Sequence, residues 1–389
     1  MSKEWQMPQD DVLCALLEQI RRYGKKKLIA DYKRFEKKSQ FPDEAVKCLA
    51  DMGVFGLIIP KEYGGYEMGA VASIYVAREL AYWWPGLHLI WTAHNLAAEV
   101  IIRGGSKEQK ARLLPKMASA EIIGAFALTT PYSGSDALML RTKADFDPAS
   151  GCYTLTGSSC YITNLKEAAV VVVPARTGED KKHVSAFLLE KGRGLDDMEI
   201  KVISEEKHGF KCASFGRLEM NGVCIHESAM LGDRDHGFTT FMQSLAFGRL
   251  GIAAQVCGIA ERIFYEAMKH VRDRKMFDGT LWSMQVTKHA FAKARAELWV
   301  AWQGVVEAAR MCDAGKDFNE EASYVKYVAT EAADEAARML TRRFGGMIAL
   351  TSLPHVQRLI EAYLATIYEG CNELQLDIIA RYLEKEFGK

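Results

Sequence analysis

The chain has 389 residues, of which 49% are hydrophobic and 26% charged, enough to bury large cores and to divide into two or three domains. Its 50 basic and 50 acidic residues leave a formal net charge of +0, so no long-range field draws it to nucleic acid or to an anionic membrane. Nine scattered cysteines, with no CxxC and no Cys/His ligand spacing, fit reduced thiols in a cytoplasm better than a disulfide framework and suggest no metal site.

The stretch from Met1 to Asp11 is polar and lacks the apolar segment of a secretory signal. From Asp10 to about Ala120 the apolar residues recur at helical spacing. Val12, Leu13, Leu16, Leu17 and Ile20 share a face, and Pro42 opens a run through Val46, Leu49 and Met52 that ends at Gly53. This predicts an N-terminal helical domain over residues 1–121. Short β-rich runs follow, at Tyr153 to Thr156, Val170 to Val173, Val184 to Leu189 and Arg217 to Met220, separated by Gly, Asp, Asn and Lys. They predict a middle β domain over residues 122–236. The longest purely apolar run, Ala168 to Val173, stops at Pro174 and is too short to span a bilayer as a helix, so it reads as a buried strand. Long helical runs return at Leu245 to Lys275, Ser283 to Ala314 and Phe318 to Phe344, which predicts a helix bundle over residues 237–389.

This α, β, α order is not the alternation of a doubly wound sheet. No G-x-G-x-x-G follows a predicted strand and no P-loop occurs, so a nucleotide would have to be held in another way.

Near the C-terminus, Leu359, Ile360, Tyr363, Leu364 and Ile367 recur three and four apart up to Gly370. A second run, Leu374, Ile378, Ile379, Tyr382 and Leu383, follows Asn372, which reads as its N-cap. Glu369 stands at the seam and is a candidate catalytic base. A solvent-facing glutamate is the commoner occurrence, and this segment alone leaves both readings open. Two loops carry hydroxyls and free backbone N–H groups, Ala125 to Asp136 and Tyr161 to Asn164. Both suit hydrogen bonding to a planar polar ring, and both also have the composition of ordinary turns.

Taken together in order and spacing, these segments resemble the acyl-CoA dehydrogenase family of flavoproteins over essentially the whole chain. Leu128 to Asp136 is similar to the family's Leu-Thr-Glu-Pro-x-Ala-Gly-Ser-Asp, and Tyr161 to Asn164 to its Trp-Ile-Thr-Asn. Gly248-Arg249 to Ala253, Arg274 to Gly279, Gln285, Phe344-Gly345-Gly346 and Tyr368-Glu369-Gly370 resemble further motifs in sequence. The resemblance implies an α+β, mainly α fold with an N-terminal helical domain, a central β-barrel-like domain and a C-terminal four-helix bundle. It also implies bound FAD.

By similarity, Phe126, Leu128, Thr129, Ser135, Tyr161 and Thr163 contact the isoalloxazine ring and ribityl chain. Arg274, Phe277, Gln285, Gly345 and Gly346 reach the adenosine end of a neighbouring subunit's FAD, with Arg342, Cys371 and Glu373 as further cofactor contacts. A dimer or a homotetramer, a dimer of dimers, is implied. Ser135, Arg249, Tyr368, Gly370 and Trp91 meet the acyl-CoA, Arg249 holding its CoA part. Glu369 takes the α-proton while the β-hydride passes to flavin N5, leaving a trans-2-enoyl thioester. Burial is expected to raise the Glu369 pKa toward working pH. Some relatives carry the base at the position of Gly248, which here offers no rival. Electron-transferring flavoprotein is the implied acceptor.

Four positions depart from the family pattern: Thr130, Cys371, Arg342 and Tyr363 stand where Glu, Thr, Gln and a basic residue are usual. Thr130 removes a charge from the rim of the flavin site and bears on partner docking or loop order, and Cys371 replaces a hydroxyl with a weaker thiol. The aromatic stretch Tyr82 to Asn95 suits an acyl-pocket wall that favours a short, branched, cyclic or aromatic acyl group, and its Trp and Tyr side chains equally suit the filling of core space. The same fold also serves acyl-CoA oxidases and enoyl-CoA reductases, and a non-catalytic flavoprotein is the reading from another class.

Overall fold

The computed structural model describes residue 8, residues 10–202 and residues 206–388. Most of the polar N-terminal stretch therefore lies outside the described residues.

Six helices build the front of the molecule: α1 (Asp11–Tyr23), α2 (Ile29–Lys38), α3 (Asp43–Asp51), α4 (Gly69–Trp83), α5 (Pro85–Gly104) and α6 (Lys107–Ala118). Their starts follow local chemistry. The Asp10 carboxylate accepts from the Leu13 N–H, and Ser106 with Gln109 forms a reciprocal capping box at α6. Leu13, Leu16, Leu17 and Ile20 are buried as the helical spacing predicts, whereas Val12 is 67% exposed. The helices α4 and α5 are buried on nearly all sides, because the sheet and the C-terminal helices cover the faces their own neighbours leave open.

The middle part contains β1 (Ile123–Phe126), β2 (Lys143–Asp147), β3 (Cys152–Thr163), β4 (Ala168–Arg176), β5 (Val184–Glu190), β6 (Glu199–Val202), β7 (Phe215–His226) and β8 (Met230–Leu231). They form one sheet in the order β6-β7-β3-β2-β4-β5-β8, with β1 pairing in parallel with β4. The sheet is open: among the described residues β6 and β8 are its edges and do not pair with each other, so the barrel-like part is not a closed barrel.

The apolar run of β4 has a physical cause. Val171 and Val173 pack with Leu155, Phe187 and Leu189 on one face, while Val170 and Val172 join Val100, Ile101 and Leu113 on the other. A strand covered on both faces needs no polar alternation.

The remainder is helical: α7 (Gly237–Asp273), α8 (Gln285–Asp313), α9 (Asn319–Thr341), α10 (His355–Leu364) and α11 (Asn372–Phe387), with a two-stranded hairpin, β9 (Lys275–Met276) and β10 (Gly279–Thr280), between α7 and α8. Here α7, α8, α9 and α11 make the four-helix bundle, and α10 packs across α7 and α9. The front helices join it through α4, which lies along α7 so closely that a Cβ on Gly258 would collide with the Arg78 carbonyl group.

That contact is backbone to helix, so it cannot be relieved by a rotamer change. Gly258→Ala should therefore force α4 and α7 apart and cost about 1–3 kcal/mol of stability. The readout is a lower urea midpoint at an unchanged m-value.

Candidate active site

Glu369 sits in the connection between α10 and α11, and its backbone is left-handed with φ 53°, next to Gly370 at φ 88°. This conformation is uncommon for a residue with a side chain and costs energy that the surroundings must supply. It turns the Glu369 side chain inward. A Cβ on Gly248 of α7 would collide with Glu369 Oε2, so the carboxyl occupies the space that any other residue at position 248 would fill. The Glu369 residue is partly buried as a whole, yet its Oε2 is enclosed and has no hydrogen-bond partner. Burial raises its pKa to about 7, against the opposing pull of the Lys326 and Arg249 charges. The solvent-facing reading of this residue is excluded by that geometry.

The connection is held from below by a residue the sequence motifs do not mark. Lys326 of α9 is completely buried, and its Nζ donates to the Thr366 carbonyl at 3.1 Å and to Asn372 Oδ1 at 2.8 Å. Asn372 also accepts from Thr330 Oγ1 at 3.1 Å and donates to Glu331 Oε1 at 2.8 Å. The N-cap expected at Asn372 is thus corrected by one position. Cys371 is the cap residue, without a side-chain capping bond, and Asn372 is the first helical residue, its side chain turned into the bundle. Desolvation lowers the Lys326 pKa to about 8, with Glu369 the leading charge that raises it.

Arg249, one residue after Gly248, is buried, with Nη1 at 3.4 Å from Ser323 Oγ and Nε unpartnered. Tyr368 donates its hydroxyl to Gln255 Oε1 at 2.5 Å and meets Phe210 edge-on at 6.0 Å. Gly370 is gripped by Gln375, whose Nε2 donates to its carbonyl at 3.0 Å.

The two polar loops lie side by side and beside this connection. The Cys160 N–H donates to the Thr129 carbonyl at 2.8 Å, and Ser159 Oγ donates to the Ala127 carbonyl. Ser135 Oγ lies 3.7 Å from Cys371 Sγ, so the thiol that replaces the family hydroxyl meets the first loop. Thr130 orders that loop itself: its Oγ1 accepts from the N–H groups of Tyr132 at 3.3 Å and Ser133 at 3.0 Å. Phe126, Leu128, Thr129 and Thr163 are half-buried, Ser135 is exposed, and Tyr161, left-handed at φ 56°, leaves 64% of its surface open.

A second group gathers at the far end of α7. Arg274 caps the helix, its carbonyl accepting from the Leu281 N–H at 2.9 Å, and Phe277 in the hairpin is 82% exposed at φ 50°. Phe344 packs at a tilt against His270, ring centroids 4.8 Å apart, and the Arg343 guanidinium reaches the Val286 carbonyl at 3.4 Å, which brings Gly345, Gly346 and Gln285 to the same end. Nothing lies within 4 Å of a Cβ built on Gly345 or Gly346. Arg342 lines a groove of about 880 Å³ between α8 and α9, and Glu373 is exposed in the first turn of α11. Along α7, position 274 is about 39 Å from position 248 at 1.5 Å per residue. One chain does not bring the two groups together.

Gly248 also lines a cavity of about 20 Å³ between α4, α5 and α7, whose walls include Ser73, Trp91, Thr92, Asn95 and Phe247. Trp91 is buried, its indole N–H donating to the Val54 carbonyl at 2.9 Å. The other aromatics of the expected wall fill core space: Trp84 donates to Glu36 and Trp83 to Glu79. Burial pushes the pKa of His88 down to about 3 and that of His94 down to about 4, so both are neutral packing residues near neutral pH.

A helical layer, an open sheet and a helix bundle that converge on one enclosed carboxyl define the acyl-CoA dehydrogenase fold. Models of that family match the chain in three consecutive parts: the N-terminal domain over residues 11–121, the middle domain over residues 125–223 and the C-terminal domain over residues 235–384. The chain belongs to the acyl-CoA dehydrogenase family.

It is 32% identical to an acyl-CoA dehydrogenase of Bacillus subtilis (strain 168), covering 94% of this chain and 96% of that one. It is 31% identical to the mitochondrial short-chain specific acyl-CoA dehydrogenase of Homo sapiens, covering 96% and 90%. The structure of butyryl-CoA dehydrogenase from Megasphaera elsdenii superposes with a TM-score of 0.92 at 28% identity, over 97% of this chain and 99% of that one.

Removing the buried ammonium takes one charged donor from the Thr366 carbonyl and one from Asn372 Oδ1, which keep the Asn372 N–H and Thr330 Oγ1 as partners, at about 1.5–3 kcal/mol for each hydrogen bond to a charged group lost. Lys326→Met is expected to lower the unfolding free energy by that order, measured by urea denaturation. An unchanged midpoint would show that the ammonium does not hold the connection.

Proposed function

We propose that this protein dehydrogenates a short acyl-CoA thioester between its α- and β-carbons, with Glu369 as the base that removes the α-proton. The observation that carries this reading is the Glu369 carboxyl itself: enclosed, with Oε2 unpartnered, a pKa raised to about 7, and set against Gly248 at the wall of a small cavity. A base that works near neutral pH needs that poise. No residue at position 248 competes for the proton.

FAD is the cofactor we assign, because the chain offers what a flavin requires. The uncovered ring of Tyr161 stands beside a polar loop rich in hydroxyls and backbone N–H groups, next to the Glu369 connection. When bound, FAD supplies the acceptor for the hydride that leaves the β-carbon. Phe126, Leu128, Thr129, Ser135, Tyr161 and Thr163 would hold it, with Cys371 at its edge. The backbone N–H of Glu369 polarises the thioester carbonyl, so that the α-proton becomes acidic enough to leave. Tyr368 and Gly370 fix the direction of that N–H through Gln255 and Gln375. Arg249 is buried beside Ser323 and Glu369, which favours an electrostatic action on the base over a grip on an exposed pyrophosphate.

The separation of the two residue groups along α7 supports a second copy of the chain as the owner of the distal contacts. Arg274, Phe277, Gln285, Gly345 and Gly346 would then complete the partner's site, with Arg342 beside them, in a dimer or a dimer of dimers, whereas Glu373 stands with Cys371 at the Glu369 connection. Electron-transferring flavoprotein is the acceptor proposed, on the family resemblance. No helix among the described residues is long and apolar enough to cross a membrane. A cytoplasmic setting is part of the proposal, on the scattered pattern of the nine cysteines in the sequence.

Glu369→Gln should retain FAD yet lose anaerobic flavin bleaching by butyryl-CoA by at least a thousandfold. Bleaching at the wild-type rate would remove Glu369 from the reaction. The pH dependence has a definite sign: the base must be ionised, so the reduction rate should climb with pH through about 7. Lys326→Met withdraws the leading charge that lowers this pKa, so its profile should move to higher pH. A profile that stays in place would mean that Lys326 does not act on Glu369.

A further inference from the structure

The wall of the cavity beside Gly248 is mostly apolar, with Ile74, Leu96 and Leu250 among its members, and most of its polar groups are already paired. Ser73 Oγ donates to the Gly69 carbonyl at 2.9 Å, Thr92 Oγ1 lies 3.1 Å from His88 Nε2, and the Trp91 indole N–H is taken by Val54. Asn95 is different. It is only 5% exposed, it lines the same cavity, and its Oδ1 has no hydrogen-bond partner.

A buried amide oxygen left unpaired is costly, and native interiors rarely keep one without a partner to come. The cavity is about 20 Å³, room for about one or two atoms rather than a hydrocarbon chain. It adjoins the carboxyl that reaches the α-carbon, because Gly248 belongs to both. On the dehydrogenation reading the α- and β-carbons are taken up between Glu369 and the flavin, so the part of an acyl group left to enter the cavity is whatever lies just beyond the β-carbon.

We propose that Asn95 selects a short acyl thioester that carries a hydroxyl beyond its β-carbon. A hydroxyl donates and accepts, so it satisfies the amide whichever end of Asn95 faces it. A methyl group of similar size would fill the space and leave the amide unpaired, and sites built to hydrogen-bond a hydroxyl discriminate strongly against analogues that lack it. This inference rests on the dehydrogenation reading above and names its substrate class.

The test compares pentanoyl-CoA, which puts a methyl group where the hydroxyl would be, with 4-hydroxybutyryl-CoA on the FAD-loaded full chain, by anaerobic flavin reduction and by calorimetric binding to Glu369→Gln, where no turnover occurs. The expected result is at least a tenfold preference for the hydroxylated thioester in both kcat/KM and Kd, reversed in Asn95→Leu. Equal or better use of pentanoyl-CoA by the wild type overturns the proposal and leaves dehydrogenation standing; it would mean that a water fills the cavity and pairs with Asn95. If neither thioester, nor any other acyl-CoA of a wider panel, reduces the flavin, both readings fall. Should Asn95→Leu not fold, the wild-type and Glu369→Gln preferences decide alone.

Discussion

The site depends on one close approach, the Glu369 carboxyl against the bare Cα of Gly248. Everything around it serves that contact. Glu369 reaches inward only because its backbone adopts a left-handed conformation, and the next residue, Gly370, continues the turn where a Cβ would meet Gln375 Nε2 at 2.5 Å. The helices α10 and α11 end and begin so as to present this turn to α7. A side chain at position 248 would close the space from the other side.

Around that contact two electrostatic effects compete. Enclosure disfavours the charged carboxylate, while Lys326 and Arg249 favour it. The balance falls near neutrality because neither cation pairs directly with Glu369: Lys326 is committed to Thr366 and Asn372, and Arg249 to Ser323. A direct ion pair would hold the carboxylate charged and make it a weak base. The same buried ammonium therefore shapes the connection and tunes the group it carries.

Much of the architecture was legible in the residues. The α, β, α order, the buried strand at Ala168 to Val173 and the placement of Glu369 at a helix junction all follow from periodicity and turn chemistry, and they stand in the structure. The open sheet was not legible, because closure depends on whether β6 and β8 meet, and strand composition does not encode that. Asn372 misled by one position, since an asparagine before a helix and an asparagine just inside it look alike until Lys326 and Thr330 are seen to claim its side chain. Lys326 left no local signal at all. Within α9 it sits on the buried face among alanines, where its only mark is a charge at an apolar register position.

The sequence alone determined the order of elements, the family, and which residue we propose for the proton chemistry, because these rest on local periodicity and on motifs that are contiguous along the chain. Tertiary structure decided that Glu369 is enclosed, that Gly248 makes room for it, that Lys326 supports it and that Asn95 faces the cavity unpaired. Those facts join residues more than a hundred positions apart, or turn on a burial that no single stretch records. Glu369 needed both: the chain marked it, and the packing of α7 against the α10–α11 connection enclosed it.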